Sequence, residues 1–93
     1  MSENKILLVD DEEGIRKVLG ISLADSGYEV LSAADGAEAL DIFRREYPGI
    51  VLTDIKMPGM DGIELLRRIK EKNPEAEVIM ISDRIGLLAQ RPS

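Results

Sequence analysis

Ninety-three residues, 44% of them apolar and 32% charged, make one small domain, which buries only about 60–65% of the surface its unfolded chain exposes. A net charge of −6 offers no basic stripe to displace counterions from nucleic acid, so no direct nucleic-acid partner is expected. Cysteine and histidine are both absent, which excludes disulfides, thiolate and imidazole metal sites, thiol nucleophiles and imidazole general bases.

The first apolar run, Ile6–Val9, reads as a strand buried on both faces. It is too short for a signal peptide or a membrane span, and the chain is expected to be cytoplasmic with no membrane partner. From Glu12 to Ser26, Ile15, Val18, Leu19 and Leu23 fall at helical spacing, with Gly27 as the stop. Tyr28–Ala33 reads as a second strand. Asp35 with Glu38 forms a capping-box pattern, opening a helix whose buried stripe is expected to be Ala39, Leu40, Phe43 and Tyr47. Pro48-Gly49 ends it, and Ile50–Thr53 follows as the third strand. Met57-Pro-Gly-Met-Asp-Gly62 has the composition of a loop. Asp61 with Glu64 caps a third helix, expected to bury Ile63, Leu66 and Ile69, and Asn73-Pro74 closes it. Val78–Ile81 is the fourth strand. This alternation implies a parallel sheet with right-handed crossovers and helices on both faces.

Acids close two of these strands: Asp10 and Asp11 follow Val9, and Asp54 follows Thr53. Open parallel sheets place their ligand sites at the carboxyl ends of the strands, near the point where strand order reverses. Side by side, the two strands bring all three acids to one sheet edge. There, unpaired like charges repel unless a cation sits among them. An oxygen-only donor set points to Mg²⁺. Taken singly, each acid reads more readily as a helix cap or a solvated loop charge than as a ligand, and Asp11 is placed to cap the following helix. It is the conjunction of the pair with the third acid that points to a site.

Residues 5–82 resemble the receiver domain of bacterial two-component response regulators. The carrying motifs are Ile6-Leu-Leu-Val-Asp-Asp11, Thr53-Asp-Ile-Lys-Met-Pro-Gly-Met-Asp-Gly62 and Val78-Ile-Met-Ile-Ser82. The run Leu65-Leu66-Arg67-Arg68 is most similar to regulators of the nitrogen-regulation type. The resemblance implies a flavodoxin-like doubly wound sheet of order 2-1-3-4-5. It makes Asp54 the phosphoryl acceptor, taking the group from a sensor histidine kinase without the chain being an enzyme in its own right. It implies Mg²⁺ held by Asp11, Asp54 and the backbone carbonyl of Lys56, with Asp10 acting through a water. Ser82 becomes the hydroxyl that senses the phosphoryl group. Lys56 and Arg84 fall where the family tunes the lifetime of that group, although both read equally as solvated surface charges.

The sequence departs from the family after Ser82, and the expected organisation is a partial receiver over residues 1–82 with a divergent tail, 83–93. The fifth strand, its aromatic residue and the last helix have no recognisable counterpart. Lys5, Lys17, Lys56, Lys70 and Lys72 all precede Ser82, so the family's catalytic lysine has none either, and impaired phosphoryl transfer is expected. An apolar fourth strand at the sheet edge and a bare face beside the first strand predict self-association. The competing reading is a receiver-like interaction or dimerisation module that does not turn over phosphate. A Mg²⁺-dependent phosphohydrolase using Asp10 is disfavoured, since Glu12 stands where such enzymes want a second Asp.

Overall fold

The alternation of apolar runs with helical periodicity becomes β1 (Ser2–Val9), α1 (Glu13–Asp25), β2 (Glu29–Ala33), α2 (Gly36–Glu46), β3 (Pro48–Asp54), α3 (Gly62–Lys72) and β4 (Glu77–Ile81). The computed structural model describes residues 2–81; Ser82, Arg84 and the expected tail, 83–93, lie outside the described residues. All strand pairs are parallel, in the order β2-β1-β3-β4. This is the expected doubly wound α/β sheet, and no fifth strand is found among the described residues.

Central β1 is apolar at every position from Ile6 to Val9 because both of its faces are covered: Ile6 is 3% exposed and Leu7, Leu8 and Val9 are fully buried. Strand alternation divides the sheet residues between two layers. Leu7, Val9, Leu31, Ala33, Val51 and Val78 pack with Ala39, Leu40 and Phe43 of α2 and Leu65 and Ile69 of α3. Val30 faces the other way, and Gly20 of α1 lies against it, so α1 covers the opposite face.

Both acidic caps form. Asp35 accepts from the Glu38 amide at 2.8 Å, and the Glu38 carboxylate accepts from the Ala34 amide at 2.9 Å. Asp61 accepts from the Glu64 amide at 2.9 Å, but the Glu64 carboxylate turns along the helix to Arg67 and Arg68 instead of completing a box.

Several burial expectations are corrected. Tyr47 does not extend the α2 stripe: it is 54% exposed. It is the left-handed C-cap of α2, with φ 50°, placed there because Pro48 cannot continue a helix. Its ring meets Phe43 at a centroid distance of 6.1 Å. In α3 the buried face runs through Gly62, Leu65 and Ile69, leaving Ile63 53% exposed and Leu66 half-buried. The i, i+3, i+7 phase is set by Gly62, whose missing side chain lets the helix start against the chain, so Ile63 is rotated outward by about 100°. In α1 no residue is fully buried, and Val18 and Ile21 are 67% and 61% exposed. On the face beside β1, Ile6 and Leu8 are buried, but the cover thins across the sheet: Ile50 and Leu52 of β3 are half-buried and Ile79 of β4 is 46% exposed.

Candidate functional site

Strand register builds the site. β1 and β3 pair with Val9 opposite Thr53, so the next residues, Asp10 and Asp54, emerge together at the carboxyl edge. Carboxylate oxygens of Asp10, Asp11 and Asp54 lie within 4.8 Å of one another. The structure therefore brings together the three acids singled out in the sequence. Asp10 is 2% exposed and Asp54 9% exposed, while Asp11 is open to solvent. Two acids in a poorly hydrated rim with a third above them make an all-oxygen donor set of the kind that suits a small hard cation, whose charge would relieve their mutual repulsion.

The turn carrying the acid pair is held from several sides. The Asp10 amide donates to the Ala33 carbonyl at 3.2 Å, tying the end of β1 to β2. Asp10 Oδ1 accepts from the Glu12 amide at 2.9 Å. This corrects the cap expected of Asp11: the N-cap is Glu12, which makes no side-chain cap bond, and Asp10 orders the turn while the Asp11 carboxylate stays available to the pocket. Arg16 donates from Nη1 to the Asp10 carbonyl at 2.6 Å, fixing the main chain of the most buried acid and setting a positive charge beside the acidic edge. Arg16 was not singled out in the sequence; its only signal was an Arg-Lys pair about one turn into the helix that follows the acid pair.

Beyond Asp54 the chain turns sharply. The Ile55 amide donates to the Ile81 carbonyl at 3.3 Å, and the Gly62 amide donates to the Ile55 carbonyl at 2.8 Å. A Cβ on Gly62 would overlap the Asp54 carbonyl oxygen, so only glycine lets α3 begin this close to the acid. Met57 is inserted into the core at 8% exposure, which leaves the Lys56 carbonyl between two anchored neighbours and its side chain exposed. Thr53 is fully buried and donates to the Asp54 carbonyl at 3.1 Å. Ser82, the remaining site residue expected from the sequence, lies outside the described residues.

The family model of the response regulator receiver domain matches residues 6–87. The chain belongs to this family. Sporulation initiation phosphotransferase F of Bacillus subtilis is 46% identical to this receiver over 82 residues, covering 88% of this chain and 66% of that protein. The probable transcriptional regulator ycf27 of Porphyridium aerugineum is 44% identical, covering 91% of this chain and 38% of that one. The chain thus spans less than two thirds of the length of either curated relative. Among solved structures, the response regulator TrrA of Thermotoga maritima in complex with Mg²⁺ and beryllium fluoride is 37% identical with a TM-score of 0.82, covering 88% of this chain and 73% of that one. TrrA in complex with the histidine kinase ThkA matches with a TM-score of 0.81 and 39% identity, over 86% of this chain and 69% of that one. Receiver domains bind Mg²⁺ at an acidic cluster of this kind and act as phosphoacceptors. No described helix is long and apolar enough to cross a membrane.

Proposed function

We propose that this receiver accepts a phosphoryl group on Asp54 from a phosphohistidine of a sensor kinase, with Mg²⁺ in the acidic pocket. The observation that carries the reading is the convergence of Asp10, Asp11 and Asp54 within 4.8 Å at the carboxyl edge of the sheet. Asp11, Asp54 and the Lys56 carbonyl hold the ion, and Asp10 reaches it through a water. Bound there, Mg²⁺ offsets the negative charge that would repel an incoming phosphoryl group. An Asp54 oxygen attacks phosphorus, the P–N bond breaks, and the electron pair leaves with the kinase imidazole, giving an acyl phosphate on the chain. Asp10 orders the turn beneath the site, and Arg16 holds its carbonyl. Ser82 takes the role of hydroxyl donor to the bound phosphoryl group. A kinase partner is supported by the ThkA–TrrA complex.

Incubation with Mg²⁺ and acetyl phosphate, followed by intact mass and peptide mapping, tests this. One phosphoryl group on Asp54, absent in chelator, is the expected result; no adduct in Mg²⁺, or an adduct elsewhere, overturns it. A second reading, a self-associating interaction module, is favoured by the exposed Ile79 on β4, the edge strand among the described residues. Light scattering at micromolar concentration decides it: a dimer supports that reading, and a stable monomer removes it.

A further inference from the structure

The loop after Asp54 meets α2 at one point. A Cβ on Gly36, the first residue of α2, would lie 2.8 Å from Met60 Sδ, 2.9 Å from its Cβ and 3.0 Å from its Cγ. These distances leave no space for a side chain, so the Met60 side chain lies directly on the Gly36 backbone. Gly36 is buried, and Met60 packs against the main core cluster. Helix propensity alone favours alanine over glycine at this helical position, so the glycine serves the contact rather than the helix.

We propose that Gly36 and Met60 form a latch that positions the acceptor loop. The 55–62 segment then has an anchor at each end and two along its length. Ile55 and Gly62 close it by hydrogen bonding, Met57 plugs into the core, and Met60 seats on α2. Lys56 lies between the first two anchors, and its carbonyl inherits its position from them. Met60 determines whether the far half of the loop stays down on the sheet edge, so Gly36 and Met60 are positioning residues that touch no reacting atom. The link also joins the acceptor loop to the N-terminus of α2, whose cap Asp35 is one residue before the latch. A thioether suits this role because it fills an irregular gap over bare backbone without a fixed shape.

The test is a double-substitution cycle on the full chain, read by amide hydrogen exchange of Ile55 and Gly62, the hydrogen-bonded ends of the loop, in metal-free buffer. Gly36→Ala should speed exchange there about tenfold, as an overpacked contact does, while core amides of β1 and α3 keep their protection. Made in a Met60→Ala background, the same substitution should have a clearly smaller effect, because the Sδ and Cγ contacts are gone and only the Cβ contact at 2.9 Å remains. Unchanged loop exchange in Gly36→Ala, or an equal increase in both backgrounds, overturns the latch. Should Gly36→Ala fail to fold, Met60→Ala alone decides: faster loop exchange supports the latch, and unchanged exchange overturns it. The expected consequence for metal, a several-fold weaker Mg²⁺ affinity in Gly36→Ala, rests on the proposed site. If the wild type itself shows no Mg²⁺ binding, that site reading fails, while loop exchange still judges the latch.

Discussion

Replacing Asp54 by Asn should make the metal-free chain more stable. At 4.8 Å, two carboxylates repel by about 1 kcal/mol in bulk water and about 3.5 kcal/mol at an effective dielectric of about 20. Asp54 takes part in two such pairs. Its pair with exposed Asp11 belongs near the lower figure, and its pair with Asp10, 2% exposed, nearer the higher. Local hydrogen bonding and screening already offset part of this repulsion, so a net gain of about 1–3 kcal/mol is expected. For a domain of this size each kcal/mol raises Tm by about 4–8 °C. The assay is thermal unfolding of wild type and Asp54→Asn at pH 7 and low salt, with chelator and then with Mg²⁺. In chelator the variant should melt higher. In Mg²⁺ the wild type should gain stability as the ion saturates it, about 2.7 kcal/mol at a hundredfold excess over Kd, and the variant should gain little. A variant no more stable than wild type in chelator, or one that keeps the full Mg²⁺ shift, refutes the charge-cluster reasoning.

Phe43→Ala removes the largest fully buried side chain and should cost about 3–5 kcal/mol in urea unfolding; a loss below 1 kcal/mol would mean that α2 does not pack as described. Asp35→Ala deletes the bond to the Glu38 amide and should cost about 1 kcal/mol, measurable as a lower urea midpoint with unchanged slope. The Lys5–Glu46 pair, at 2.9 Å, sets a pH dependence. Its hydrogen bond, and then its charge, hold the Glu46 carboxyl below the ordinary glutamate value of 4.5. That contribution is present above pH 4.5 and lost as pH falls through the lowered value. The Tm difference between wild type and Glu46→Gln should therefore shrink on acidification below 4.5, and because the pair is solvated it should be small and should shrink in salt as well.

The strands and the acids at their ends were legible because both depend on short-range pattern, while the strand order followed from the family resemblance. Ile6–Val9 and Ile50–Thr53 are short, mostly apolar runs that suit a covered parallel sheet, and once β1 and β3 lie side by side their terminal acids meet by register. Helix faces were less legible. The phase of α3 is set by Gly62 against the Asp54 carbonyl, a long-range steric fact, so Ile63 reads as buried when periodicity alone is considered. Tyr47 looked like a fourth stripe residue until Pro48 forced the chain out of the helix. Asp11 and Asp10 are adjacent acids, and nothing local says which one orders the turn; the Asp10 bond to the Glu12 amide decides it. The Gly36–Met60 contact was invisible because it joins segments that only the fold brings together, whereas Arg16 left a weak local signal, six residues past the acid whose carbonyl it holds.

The central claim is that three carboxylates form one Mg²⁺ site with Asp54 as acceptor. A crystal structure of the chain grown with Mg²⁺ and beryllium fluoride tests it most directly. The expected density is a fluoroberyllate on the Asp54 carboxylate, with Mg²⁺ in contact with Asp11, Asp54 and the Lys56 carbonyl. Mg²⁺ bound away from those residues, or an Asp54 carboxylate left bare at saturating beryllium fluoride, would contradict it.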